Sequence, residues 1–304
     1  MRSIKPALWL LVLLITASVS ATGEPKGPKE NFFKVALSTA SAKQGSTVTV
    51  FVESALKLKK IELECFGRPH PIYRIWHKDH DHLFRTFIGI PATLKPGDYK
   101  VIARAVDVNG ESIKIYNMLR VKPRAFTLQK INLPLKKRSL MSRDLIQKES
   151  SLIGSKLKIR GKRVYFATGF LMPTTGRISG TFGGRRQYNN GGTSSYHKGL
   201  DIANKRGTAI IAANGGKVTL SKSMDAHGKT VLINHGHGIS TIYCHMDAIK
   251  VKQGDWIKRG QLIGNVGSTG IATGPHLHFG FSVNDIRVDP SLWINGQVRL
   301  YYRP

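Results

Sequence analysis

Three histidine-bearing clusters lie in the second half of this 304-residue chain. HKGLD sets His197 and Asp201 four apart, TIYCHM carries His245 two residues after Tyr243, and GPHLHFG sets His276 and His278 two apart. Residues two apart on a strand share a face, so His276 and His278 point together while Leu277 enters the opposite layer. The same rule puts Tyr243 and His245 on one face, and an extended chain also brings His197 and Asp201 to one side. Two adjacent imidazoles are costly to bury unless there is something between them to coordinate or protonate. Two histidines and a carboxylate would make three protein ligands, leaving a fourth position for water. Zinc at such a site lowers the pKa of that water from about 15.7 to near 7. Histidines outside the coordination could then move protons or stabilise an oxyanion. Spacing alone does not divide these jobs, and scattered structural histidines are the competing reading. The helical H-E-x-x-H pattern of ordinary zinc proteases is absent.

The elements that must hold these residues read as strands. Glycine is dense from 176 to 280 among short strand-like runs, which suits an antiparallel β-domain with an open groove over 156–304. Upstream, residues 31–121 alternate apolar and polar positions (STVTVFVES, KIELECF) and carry turn signals at Pro96-Gly97 and Asn109-Gly110. That pattern predicts a small antiparallel, immunoglobulin-like β-sandwich, so the fold class is all-β with two domains. Between them, 122–155 reads as a basic connector with Pro123, Pro134 and the run Lys136-Lys137-Arg138, followed by a short helix. Leu145, Ile146, Leu152 and Ile153 share one face of that helix, Gly154 suits its C-terminal cap, and its role is packing against a neighbouring domain. His70, His77, His80 and His82 fall in the first domain; W-H-K-D-H-D-H has no regular ligand spacing and reads as a solvated loop.

Residues 1–21 have a basic start at Arg2 and Lys5, an apolar run from Ala7 to Ile15, and small residues at Ser18, Ser20 and Ala21. This is the layout of a cleaved secretory signal peptide, an uncleaved anchor being the alternative. No other apolar run approaches spanning length, so the expected location is exported: periplasm or cell envelope. Lys plus Arg outnumber Asp plus Glu by 47 to 18, a net charge of +29, which favours a polyanionic partner. No nucleic-acid-binding signature accompanies the charge, so for an exported chain the anionic envelope is the expected surface. The two cysteines, Cys65 and Cys244, fall in different domains and make neither a disulfide framework nor a zinc knuckle.

Residues 170–295 resemble the lysostaphin/LytM-type zinc endopeptidases of bacterial cell walls. The resemblance runs in order through GRISGTFGGRR, YHKGLDIANKRGTAIIAANGGKV, GKTVLINHGHGISTIYCHM and VKQGDWIKRGQLIGNVGSTGIATGPHLHFG. Carried over by position, it implies that His197, Asp201 and His278 bind one zinc ion and that His245 and His276 are the non-ligand catalytic histidines. Tyr188 stands near the place of a tyrosine that some members aim at the oxyanion. Cys244 and Met246 depart from the usual pattern. Cys244 is expected to be a small buried hydrophobe on the strand face away from His245 and the metal, with a thiolate ligand as the alternative. His227, His235 and His237 are expected in turns, structural or groove-lining. The implied activity is hydrolysis of a stem-peptide or cross-bridge bond of peptidoglycan. The alternative is a catalytically silent, peptidoglycan-binding regulator of other wall hydrolases, although all five positions are filled here. The region 31–121 also looks like the β-sandwich preceding this domain in some exported members, where it binds wall material or covers the groove.

Overall fold

The computed structural model describes residues 32–301 except 79, 81, 167, 168, 190 and 192, so the expected signal peptide lies outside the described residues. The first unit contains β1 (Phe33–Leu37), β2 (Ser41–Lys43), β3 (Thr47–Ser54), β4 (Leu58–Cys65), β5 (Arg68–His70), β6 (Tyr73–Ile75), β7 (Leu83–Gly89), β8 (Gly97–Asp107) and β9 (Ser112–Lys122). They form two sheets, ordered β1-β3-β7-β6 and β2-β9-β8-β4-β5. Val48, Val50 and Val52 of β3 meet Leu63, Val101, Ala103 and Leu119 of the other sheet in one buried core, as the period-two pattern requires. The Asn109-Gly110 signal is the β8–β9 turn: Gly110 has φ +93°, and Asp107 Oδ1 accepts the amides of Asn109 and Glu111, each at 2.9 Å.

The connector holds β10 (Leu128–Ile131), α1 (Leu135–Arg138), a 3-10 turn (Ser139–Met141) and α2 (Arg143–Leu157). Gly154 is not the cap of α2. It lies inside the helix, which ends at Leu157 and is capped at Lys158, whose amide donates to the Gly154 carbonyl. The buried stripe of α2 is Glu149, Ile153 and Leu157, spaced i, i+4, and it packs on Leu220, Leu232, Ile242 and Cys244. The helix therefore covers the sheet of the following domain and extends past the boundary expected at 155.

That domain contains β11 (Arg177–Gly180), β12 (Arg185–Tyr188), β13 (Thr193–Tyr196), β14 (Leu200–Ala203), β15 (Ala209–Ile211), β16 (Gly216–Met224), β17 (Gly228–Gly236) and β18 (Ile239–Met246). It continues with β19 (Ala248–Ile249), β20 (Trp256–Ile257), β21 (Leu262–Asn265), β22 (His276–Val283), β23 (Ile286–Val288) and α3 (Pro290–Ile294). The large sheet runs β11-β14-β22-β18-β17-β16-β20, with β23 on β22 and antiparallel pairing throughout. One face is closed by the small sheet β15-β21-β19, burying Leu277, Phe279, Phe281, Tyr243, Ile210 and Ile263.

The two units share a core. Phe87 of β7 lies 5.4 Å from the Trp293 ring of α3, and Trp293 Nε1 donates to Thr47 Oγ1 at 3.1 Å. Asn284 Nδ2 donates to the Phe87 carbonyl at 2.8 Å, and Tyr73 stacks on His237 at 4.0 Å with a 7° interplanar angle. No described helix is long and apolar enough to cross a membrane.

Phe87→Ala should remove the ring common to both units and cost about 3–5 kcal/mol. Urea denaturation reads this, and a loss under about 1 kcal/mol would show that the ring does not join the two cores. A second expectation concerns acid. Burial pushes His70, His235 and His237 down from 6.5 to about 4. The unfolded chain takes up these protons near the ordinary value and the folded chain only well below it. Stability from keeping them neutral is therefore full above about pH 6.5 and lost as pH falls toward about 4. The urea midpoint should drop between about pH 7.5 and about pH 5, and an unchanged midpoint would contradict the account.

Candidate metal centre

Strand register creates the cluster. Asp201 of β14 faces His278 of β22 across the ladder, and Ala203 faces His276. Leu277 and Phe279 enter the core, leaving His276 and His278 together on the other face, as their spacing predicts. His197 arrives from the break between β13 and β14, not from a continuous strand. Gly199 makes that break possible: a Cβ there would stand 2.4 Å from the Phe279 carbonyl oxygen and 2.8 Å from the His278 ring.

His197 Nε2 lies 3.0 Å from Asp201 Oδ1 and 3.0 Å from His278 Nδ1, and His278 Nδ1 lies 2.8 Å from Asp201 Oδ1. Three ligand atoms thus converge, with His197 and Asp201 buried and His278 partly exposed. Ligands of a tetrahedral ion bonded at about 2.0–2.1 Å stand about 3.3 Å apart, so this donor set fits zinc after a small expansion. Among the described residues this is the group of His, Cys, Asp and Glu placed to hold a metal ion. His197 Nδ1–H donates to the Thr181 carbonyl at 2.8 Å, which turns Nε2 toward the cluster.

Burial would raise the Asp201 carboxyl, but hydrogen bonds and charge from His197 and His278 outweigh it and hold the group well below the usual carboxylate range. Arg186 of β12 binds Asp201 Oδ2, leaving Oδ1 to the cluster. A side chain at Gly180 would come within 2.8 Å of that Oδ2. Burial pushes His278 down to about 3 despite the bond to Asp201, so its imidazole stays neutral with a lone pair to offer.

His245 and His276 complete the cluster from outside the triangle, with ring centroids 4.9 Å apart. His276 Nδ1–H donates to the Gly274 carbonyl at 2.9 Å, and its Nε2 stands 3.8 Å from Asp201 Oδ1. His245 Nδ1–H donates to the Thr269 carbonyl at 2.8 Å. In both rings the other nitrogen is left for chemistry. Burial, then the neighbouring His276 and His278, depress His245 well below the ordinary histidine value.

The expectation that Tyr243 and His245 share a face is wrong. Tyr243 is buried in the core, its hydroxyl accepting the Ala213 amide at 2.9 Å, whereas the His245 ring sits with His276. His245 has φ +63°, a left-handed backbone that breaks the strand alternation and swings the ring onto the histidine face. Cys244 is a buried, free thiol as expected, but it does not lie on the expected face. Cys244 is in register with His278 and therefore shares its face, buried against α2. Burial pushes its thiol up to about 11, and it stands outside the ligand triangle.

Tyr188 ends β12 in register with Ile131, and among the described residues no hydrogen bond or ring contact links it to the five. His235 is buried on Gly215 and Thr241, and His237 lies at the interface between the two units. In the W-H-K-D-H-D-H stretch, His80 Nδ1 meets Glu53 Oε1 at 2.5 Å, so that loop is not simply solvated; Asp79 and Asp81 lie outside the described residues.

Sequence reading missed two supports. Arg186 lies in GRRQY without a spacing signal. Glu149 reads as a surface helical residue, yet it is buried and accepts the amides of Asp225, Ala226 and His227 and the His227 Nδ1–H. Burial would raise this carboxyl, but those bonds outweigh it and lower it. The turn it holds accepts the His245 amide through the His227 carbonyl at 3.2 Å, directly under the left-handed residue. Glu149→Ala should cost about 2–4 kcal/mol by stranding these donors. Chemical denaturation measures it, and a loss below about 1 kcal/mol would mean the carboxylate does not hold the turn.

Residues 195–290, which span His197 to His278, match Peptidase family M23. The peptidoglycan DD-endopeptidase ShyC of Vibrio cholerae is 40% identical over 114 residues, 38% of this chain and 26% of that relative. The DD-carboxypeptidase/endopeptidase Mpg of Neisseria meningitidis is 39% identical over 114 residues, covering the same shares of each. The murein hydrolase activator NlpD of Escherichia coli is 36% identical over 124 residues, 39% of this chain and 30% of that relative. The chain spans about a quarter of the length of the curated relatives it first matches, 24% and 26%. A crystal structure of a candidate M23 peptidase from Pseudomonas aeruginosa superposes with TM-score 0.59 at 27% identity, covering 83% of this chain and 93% of that one, so the shared fold reaches beyond the matched domain. Residues 195–290 of this chain therefore form a Peptidase family M23 domain.

Proposed function

We propose that this chain is an exported, zinc-dependent endopeptidase that hydrolyses peptide bonds of peptidoglycan in the cell envelope. The observation that carries this reading is the convergence of His197, Asp201 and His278 on one point, flanked by two histidines that each keep a ring nitrogen free. DD-endopeptidase relatives named for peptidoglycan supply the substrate class. The charge of +29 suits an anionic envelope, and the signal-like residues 1–21 supply export.

His197, Asp201 and His278 would hold the ion, with Arg186 neutralising the second carboxylate oxygen. Bound zinc contributes Lewis acidity, polarising the scissile carbonyl and bringing the pKa of water near 7. His276, with Nδ1–H fixed on Gly274, presents Nε2 to take a proton from the attacking water and return it to the leaving nitrogen. His245, fixed on Thr269 and neutral, is placed for proton transfer or, once protonated, for a hydrogen bond to the tetrahedral oxyanion. The similarity to an activator of murein hydrolases favours a second reading, a groove that binds peptidoglycan without cutting it. The complete set of five side chains weighs against that reading.

The deciding assay is new amine termini from isolated cell walls incubated with purified protein, with and without a chelator. No release by the zinc-replete protein would sink the enzyme reading. His278→Ala should lose metal, measured by bound zinc per chain. His276→Ala should keep the metal and lose turnover by about 10²–10⁴-fold.

A further inference from the structure

The connector fastens to two segments that support the histidine cluster, β12 and the loop between β21 and β22. On one side β10 pairs in parallel with β12, from Leu128 opposite Arg185 to Ile131 opposite Tyr188. The Asn189 amide continues that contact to the Ile131 carbonyl at 3.0 Å, and Asn189 Oδ1 accepts the Leu133 amide at 2.8 Å. On the other side, Lys137 of α1 reaches the loop between β21 and β22. Its Nζ donates to the Ser268 carbonyl at 2.6 Å and the Ala272 carbonyl at 2.9 Å, with Ser268 Oγ at 3.4 Å.

Both fastening points belong to the candidate site. β12 carries Arg186, which holds Asp201. The second loop bridges to His276 at Gly267 and orients His245 through the Thr269 carbonyl, next to Ser268. Lys137 is half-buried, and its acceptors are two carbonyls and a hydroxyl. Three neutral acceptors converging on one nitrogen match the three N–H bonds of a primary ammonium and are not a salt bridge. A neutral cradle also suits a ligand that must leave again, because no fixed opposite charge retains it.

We propose that Ser268 and Ala272 form an ammonium subsite of the substrate cleft, built for the side-chain ammonium of a diamino acid in the peptide, and that Lys137 fills it in the resting chain. This rests on the endopeptidase reading for its substrate, but the cradle itself stands on geometry. Substrate entry then requires α1 to release Lys137, and an internal occupant lowers the apparent affinity for every competing amine by the fraction of time the cradle is free.

The test uses the full chain and its Lys137→Met variant, with Nα-acetyl-lysinamide as the probe and Nα-acetyl-norleucinamide as the isostere lacking the ammonium. NMR titration should show the lysine probe shifting the amides of residues 267–276 in Lys137→Met. Wild type should bind it about tenfold more weakly or less, and the norleucine analogue should bind neither protein. Lys137→Gln, which also removes the charge, repeats the measurement if the Met variant is poorly folded. Equal binding to wild type and variant, or equal binding of both probes, overturns the subsite. Preferential binding of a third probe, unacetylated norleucinamide, whose only ammonium is on the α-carbon, overturns the side-chain assignment. These readouts need no turnover, so probe binding by the variant together with no amine release by zinc-replete wild type sinks the endopeptidase reading alone. An active variant that binds no probe sinks only the subsite.

Discussion

Burial of the Asp201 carboxylate is the constraint from which the rest of the site follows. It is 6% exposed on a central strand, where an unpaired charge would cost several kcal/mol. Every neighbour answers that cost. Arg186 takes one oxygen, while His197 and His278 crowd the other. Glycine at 180 leaves room for the carboxylate and its arginine, and glycine at 199 lets the chain turn over His278. The same pairing makes a ligand set. One oxygen is neutralised by a fixed cation, so the other meets two imidazoles, of which His278 is kept neutral by burial and available to a metal.

The second constraint is that strands alternate and this site needs more side chains on one face than alternation provides. β22 supplies His276 and His278 at the regular period. β18 cannot do the same, because Tyr243 is committed to the core and Cys244 already takes the position paired with His278 on the histidine face. The left-handed backbone at His245 resolves the conflict by turning the next side chain back toward the cluster. A non-glycine residue there costs of order 1–3 kcal/mol and persists only where its surroundings impose it. Glu149 imposes it from below by fixing the turn whose carbonyl receives the His245 amide.

Much of this was legible in the sequence where one period rules. The two faces of GPHLHFG, the Asn109-Gly110 turn and the alternation of the first unit all follow from local spacing. The misreadings fall where a long-range contact overrides it. TIYCHM continues as a strand in any local reading, and only the turn at 225–227 breaks it. Gly154 looks like a helix stop, but Leu157 buried against Leu220 and Leu232 carries α2 one turn further. Glu149 and Arg186 look like surface charges, and their partners lie 76 and 15 residues away. The path of the connector was not legible either, since a Pro-containing basic stretch gives no sign of which carbonyls its lysine will meet.

The energetic contrast between the two parts upstream of the matched domain says which of them can open the cleft. Moving the first unit would expose Phe87 and Trp293, each burying about 150–250 Å². The part of each ring that faces the other unit opposes separation at about 25 cal/mol per Å². The Arg68–Asp285 pair at 2.7 Å and the Asn284 bond add to that. The connector is held by the β10–β12 ladder and by few buried side chains. Leu133 is buried, worth about 1.5–3 kcal/mol, but Leu128 and Leu135 are exposed and Lys137 meets only neutral groups. Release of residues 128–138 is the opening that the proposed ammonium subsite requires, while the sandwich stays packed on the M23 domain as its support.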